Sequence, residues 1–95
     1  MFEWDEHNLS HIASHRISFQ EIEQVIENNP FDIESTFRHG ETRTLSIGET
    51  NRGRILVVVT TARAERIRVV TAYPAKKRLR EFYLREKRKA KNEGS

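Results

Sequence analysis

The spacing of apolar positions changes twice along this chain. Up to Asn28 apolar residues recur at three- and four-residue steps, from Phe31 to Ala72 they alternate, and beyond Pro74 the helical step returns. Asp5 can cap a first helix over about Glu6 to His15, with Leu9, Ile12 and Ala13 as its apolar positions. Ser18 followed three residues on by Glu21 is a capping-box pattern. It predicts a second helix from Phe19 to Asn28, with Phe19, Ile22, Val25 and Ile26 on one face and Asn28-Asn29-Pro30 ending it.

The middle of the chain reads as four strands. Phe31 to Phe37 is an edge strand, Arg38-His39-Gly40 a turn, and Glu41 to Gly48 a second strand. Thr50-Asn51-Arg52-Gly53 connects it to a central strand, Arg54 to Thr60, which is apolar on both faces. Ala62 to Glu65 turns the chain into a fourth strand, Arg66 to Ala72. Pro74 suits the first position of a last helix, since its missing N–H costs nothing there. Ala75, Leu79, Phe82 and Tyr83 form that helix's apolar stripe, which fades near Lys87. The expected fold is therefore α+β: two N-terminal helices, a four-stranded antiparallel meander and a basic C-terminal helix, with the helices on one face (α-α-β-β-β-β-α).

Composition narrows the class. Ninety-five residues, 36% hydrophobic and 33% charged, suit one domain with a small core. Residues 1–86 are expected to form it and residues 87–95 to be a basic, frayed tail. The absence of Cys removes disulfides, thiolate metal sites and a Cys nucleophile, and suits a reducing cytosol. The longest apolar run, Ile55 to Val59, is far too short to cross a bilayer, and the acidic N-terminus lacks a signal-peptide layout. A soluble cytoplasmic protein is expected.

Charge is unevenly placed. Residues 74–95 carry nine Lys/Arg against three Glu, a net of +6, which leaves −3 for residues 1–73 out of the total of +3. Strict alternation puts Arg66, Arg68 and Val70 on one face of the last strand and Ile67, Val69 and Thr71 on the other. A sheet face spent on arginine, followed by Lys76, Lys77, Arg78 and Arg80, points to phosphate, because guanidinium forks match phosphate oxygens. Arg43 and Arg54 lie on neighbouring strands; Arg43 shares its parity with Leu45 and Ile47 and ranks below Arg66 and Arg68. Against this stands the ordinary explanation, that surface arginines on a meander are solvated.

His7, His11 and His15 form a stripe on the first helix. Its position opposite Leu9 and Ala13 reads first as a solvated face, next as a phosphate contact for His15, and last as a metal site, for which no Cys and few grouped acids are at hand. His39, in a Gly-containing turn, is ordinarily solvated, but a neutral imidazole can move protons in RNA transesterification. That reaction needs a base at the 2′-oxygen, an acid at the leaving 5′-oxygen and cations around the phosphorus; preorganised arginines and lysines supply the last without a metal. Tyr73 and Tyr83 can stack on a base or donate to phosphate, although Tyr83 also fits the core stripe. No metal or organic cofactor is expected.

Phe2-Glu3-Trp4-Asp5-Glu6, His15 followed by Ile17-Ser18-Phe19-Gln20-Glu21, Gly40-Glu41-Thr42-Arg43, Gly53-Arg54-Ile55-Leu56-Val57-Val58-Val59 and Glu65-Arg66-Ile67-Arg68-Val69-Val70-Thr71-Ala72 resemble, in that order and spacing, the BrnT family. The resemblance runs from Phe2 to about Tyr83. It implies a fold similar to the RelE toxins and a metal-independent endoribonuclease toxin of a type II toxin–antitoxin module. It further implies dimeric association and a small cognate antitoxin (BrnA-like) with a DNA-binding domain. Family positions of interest fall on His15, Glu41, Arg43, Arg66 and Arg68. This chain departs from the family at Ser14-His15-Arg16, where Lys-His-Gly is usual. It departs again at Thr71-Ala72-Tyr73-Pro74-Ala75, where Tyr73 replaces a basic residue and Lys76 or Lys77 is left to reach the same phosphate. The alternative is a non-catalytic RNA-binding or protein-interaction module using the same basic surface.

Overall fold

The computed structural model describes residues 2–3 and 15–93. The elements are β1 (Phe2–Glu3), α1 (Phe19–Glu27), β2 (Phe31–Arg38), β3 (Glu41–Glu49), β4 (Ile55–Arg63), β5 (Arg66–Pro74) and α2 (Lys77–Glu93). The sheet order is β1-β5-β4-β3-β2. The expected meander is present as β2 to β5, each antiparallel to the next. The sheet also has a fifth strand that the sequence reading lacks: β1 runs parallel to β5, with Phe2 opposite Ile67 and Glu3 opposite Arg68.

The described residues hold one helix N-terminal to the meander rather than two. The first expected helix lies outside the described residues, except that its last residue, His15, is in a turn with Arg16. The second forms as expected. Ser18 Oγ accepts from the Glu21 N–H at 3.1 Å and the Ser18 N–H donates to Glu21 Oε1 at 3.0 Å, satisfying two otherwise orphaned donors. Asn28 caps its end and Asn29 turns left-handed (φ 57°) before Pro30. Ile22 and Val25 are buried, whereas Phe19, expected on the same face, is 46% exposed.

The helices lie on opposite faces of the sheet, not on one. Ile17, Ile22 and Val25 pack on Leu56, Val58, Val69 and Ala72. Tyr83, with Leu79 and Ala75, packs on Ile47 and Val57, beside Phe31, Ile55 and Tyr73. The cause is β4 itself: even and odd positions are both apolar, so each face of the central strand needs a cover. A strand with two dry faces recruits two layers.

Two boundaries move for local reasons. Pro74 does not open the last helix; it ends β5 opposite Leu56, and the Ala75 N–H donates to the Ile55 carbonyl at 3.0 Å. That bond holds the chain extended, and helical bonding starts only when Arg80 N–H reaches the Lys76 carbonyl at 2.9 Å. At the other end α2 continues to Glu93, through the residues expected to fray. Lys87 pairs there with Glu49 and Lys89 with Glu86. No helix among the described residues is long and apolar enough to cross a membrane.

Candidate functional site

Strand register decides which basic side chains meet. Thr36 stands opposite Arg43, Arg43 opposite Thr61, and Thr61 opposite Arg68, so these four residues form one row across β2, β3, β4 and β5. The next row outward pairs Arg38 with Glu41 and Arg63 with Arg66. Residues opposite one another share a face. All these positions share the parity of Ile47 and Val57, and thus lie on the face that α2 covers at its other end. The half of that face left open carries Arg38, Arg43, Arg63, Arg66 and Arg68, all exposed, and in register with them stand the acidic positions Glu34, Glu41 and, opposite Arg68 in β1, Glu3.

A bulge opposite Val59 and Thr60 corrects the parity expected for β5. Val59 faces Thr71 and Thr60 faces Val69, so Val70 is the extra residue. Val70 leaves the arginine face, and Thr71 and Tyr73 join it. Simple alternation had assigned Thr71 to the opposite side.

Two shallow depressions mark the open half. One, of about 280 Å³, is lined by Glu41, Thr61, Arg63, Ala64, Arg66 and Arg68. The other, of about 100 Å³, is lined by Glu34, Thr36, Arg43, Leu45 and Val59. Arg63 organises the first: Nη2 donates to the His39 carbonyl at 2.7 Å and Nε lies 3.8 Å from Glu41 Oε1. His39 (φ 55°) and Gly40 (φ 78°) make the left-handed two-residue turn that brings β2 back as β3. His39 is therefore at the arginine end of the sheet.

The other expected residues are elsewhere. The His15 carbonyl accepts from Arg54 Nη2 at 3.4 Å and its ring lies 6.5 Å from that of Tyr73. Tyr73 is five residues along β5 from Arg68, about 16 Å at strand rise. His15 and His39 thus stand at opposite ends of the sheet. Lys76, Lys77 and Arg78 are exposed where α2 begins, at the Tyr73 end, and do not join the arginine rows. Tyr73 is half-buried against the cluster of Ile47, Val57 and Tyr83, not at an exposed corner.

Tyr83 is not a stacking platform. Its ring is 3% exposed and meets Phe31 edge-on at 5.5 Å. Its hydroxyl donates to Glu49 Oε1 at 3.1 Å, and burial together with the Glu49 charge pushes its pKa up to about 12. A larger cavity of about 600 Å³ lies beside it, but its charged lining groups, Glu49 and Lys87, pair with each other. Its charges are spent, so it offers no excess of cation to an anion.

Arg38 and Arg63 are not among the residues the sequence points to, because both fall in segments whose composition reads as turns. The strands in fact run straight through to two-residue loops, His39-Gly40 and Ala64-Glu65. Arginine flanking a short loop, in phase with arginines along the strand, was the signal available. Among the described residues no three His, Asp or Glu side chains are placed to share a metal ion. His7 and His11 lie outside the described residues.

The family model described as "Ribonuclease toxin, BrnT, of type II toxin-antitoxin system" matches residues 4–78. No curated protein sequence matches the chain. Among solved structures, the crystal structure of the Brucella abortus ribonuclease toxin BrnT superposes with a TM-score of 0.55. The two are 23% identical over 81% of this chain and 99% of that one, a likeness of fold.

Proposed function

The chain belongs to the BrnT family of ribonuclease toxins of type II toxin–antitoxin systems, and from that premise we propose that it cleaves RNA without a metal on the open arginine face. The observation that carries the proposal is the double row of Arg43, Arg68, Arg38, Arg63 and Arg66 on one exposed half-face. Five guanidinium groups outnumber the acidic positions in register with them, Glu3, Glu34 and Glu41, and can hold a phosphodiester and neutralise the charge that builds on its oxygens.

In the reaction the ribose 2′-oxygen attacks the adjacent phosphorus and the bond to the 5′-oxygen breaks. A 2′,3′-cyclic phosphate and a 5′-hydroxyl result, and one proton passes from the 2′-oxygen to the 5′-oxygen. Arg66 and Arg68 take the scissile phosphate, Arg43 a neighbouring one. His39 is favoured over His15 for proton transfer, because its turn adjoins the arginine rows. Lys76, Lys77 and Arg78 then hold RNA backbone farther along. A RelE-like mode of action, a cytoplasmic setting, dimeric association and neutralisation by a cognate antitoxin with a DNA-binding domain belong to the same proposal.

Tyr73 in place of the family's basic residue favours a second reading, a non-catalytic RNA-binding module on the same face. Turnover separates the two. Labelled RNA is incubated with the purified protein in excess chelator, with Arg68→Ala beside it. Cleavage by the wild type that Arg68→Ala reduces by about a hundredfold or more supports the first reading. Tight binding without cleavage supports the second.

A further inference from the structure

The outer edge of β2 carries an unusual pair of side chains. β2 closes the sheet on the side away from β1, and along it Phe37 is 74% exposed and Ile33 37% exposed. Edge strands are ordinarily blunted against pairing, and two large apolar groups on one are a departure that asks for a partner.

The hairpin fixes which backbone groups point outward. Arg38 and Glu41 flank the His39-Gly40 loop, and in such a hairpin the flanking residues exchange both hydrogen bonds. Counting back by twos, Thr36 and Glu34 also bond to β3. The N–H and C=O groups of Ser35 and Phe37 therefore face the open edge, and Ile33 is the extra residue of the bulge between Asp32 and Glu34.

We propose that β2 pairs antiparallel with β2 of a second copy of this chain, with Ser35 on the two-fold axis. This names the surface for the dimeric association proposed above, and it stands apart from whether RNA is cleaved. In this register the two Ser35 residues exchange both of their N–H···O bonds, and Phe37 of each copy reaches the bulged Ile33 of the other. The register is selective. Sliding it toward the loop sets Ile33 or Ser35 against the left-handed His39, and sliding it the other way sets the central Ser35 against the bulged Ile33.

Charge agrees with the pairing. Glu34 is opposite Thr36 of the second copy, and Arg38 is diagonal to its Glu34, within reach of a long side chain. Asp32 is already engaged, accepting from Ser46 Oγ at 2.7 Å. The charges that usually guard an edge are here self-complementary. The two sheets would join into one, with both arginine half-faces on the same side and the two Arg43 strands about 14 Å apart.

The chain has no cysteine, so Ser35→Cys is a single reporter placed against its own copy. A hydrogen-bonded cross-strand pair sets Cα atoms about 5.5 Å apart, inside the range a disulfide spans. Full-length protein should sediment as a dimer, Ser35→Cys should oxidise to a covalent dimer, and Glu65→Cys, in the exposed β4–β5 turn, should do so much more slowly. Phe37→Lys, with its circular dichroism unchanged, should weaken the dimer roughly tenfold or more. A monomeric wild type, equal cross-linking by the two cysteines, or a dimer indifferent to Phe37→Lys overturns the proposal. A monomer whose antitoxin binding is lost in Phe37→Lys also overturns it, and assigns the edge to that partner.

Discussion

The Arg54 guanidinium is clamped onto the Glu21 carboxylate, with Nη1 3.1 Å from Oε2 and 3.2 Å from Oε1. The same nitrogen donates to the Arg16 carbonyl at 2.8 Å. Glu21 also closes the capping box of α1, so one carboxylate starts the helix and ties it to the beginning of β4. Arg54, grouped from sequence with the arginines of the neighbouring strands, is committed to holding α1 against the sheet.

That commitment has a pH signature. Burial alone would raise the Glu21 pKa, but the Ser18 N–H and the Arg54 guanidinium outweigh it and hold the group below its usual 4.5. A carboxylate depressed in the native state adds stability above the unfolded pKa and loses it as pH falls through the native one. Glu21→Gln should cost about 1 kcal/mol at neutral pH in urea unfolding, and the difference should close below pH 4.5.

Tyr83 makes the opposite prediction at the alkaline end. Its native pKa of about 12 exceeds the ordinary 10.0, so its contribution is complete below pH 10.0 and declines as pH rises toward 12. Ultraviolet titration should show one phenol ionising near 12. Tyr83→Phe should remove that transition and cost about 1 kcal/mol through the lost bond to Glu49.

Much of this was readable in advance where the signal is local. The Ser18/Glu21 capping box, the Asn28 stop and the four antiparallel strands follow from neighbours in sequence. What was not readable depends on partners far along the chain. The two-residue β1 exists only through its parallel pairing with β5. The Val70 bulge has no marker in Arg-Ile-Arg-Val-Val-Thr, yet it decides that Thr71 and Tyr73 share the arginine face. Arg43, Arg66 and Arg68 do meet on one face. Their separation from His15 and Lys76 required knowing that β5 stays extended through Pro74.

Gly48 shows how tightly α1 is seated. A Cβ there would come within 2.9 Å of Pro30 Cβ and 3.0 Å of Val25 Cγ1. Both are held by backbone or by the core, so neither can swing aside cheaply. Gly48→Ala should lower stability by about 1–3 kcal/mol, read as a shift in urea midpoint with an unchanged slope.

The two ends of the sheet carry two basic groups, and salt dependence combined with turnover tells which is the reaction centre. Each phosphate neutralised on a single strand contributes about 0.7 to the slope of log affinity against log salt. Arg66→Ala, Arg68→Ala, Lys76→Ala and Lys77→Ala should therefore each lower the slope by up to about that amount for RNA long enough to span both ends. Turnover at saturating RNA should separate them. If the arginine rows hold the scissile phosphate, Arg66→Ala and Arg68→Ala lose cleavage by about a hundredfold or more, while the lysine variants keep it once saturated, because they removed ground-state binding alone. The converse pattern would place chemistry at the Tyr73 end, where His15 is the imidazole at hand. The arginine half-face would then serve to hold flanking RNA.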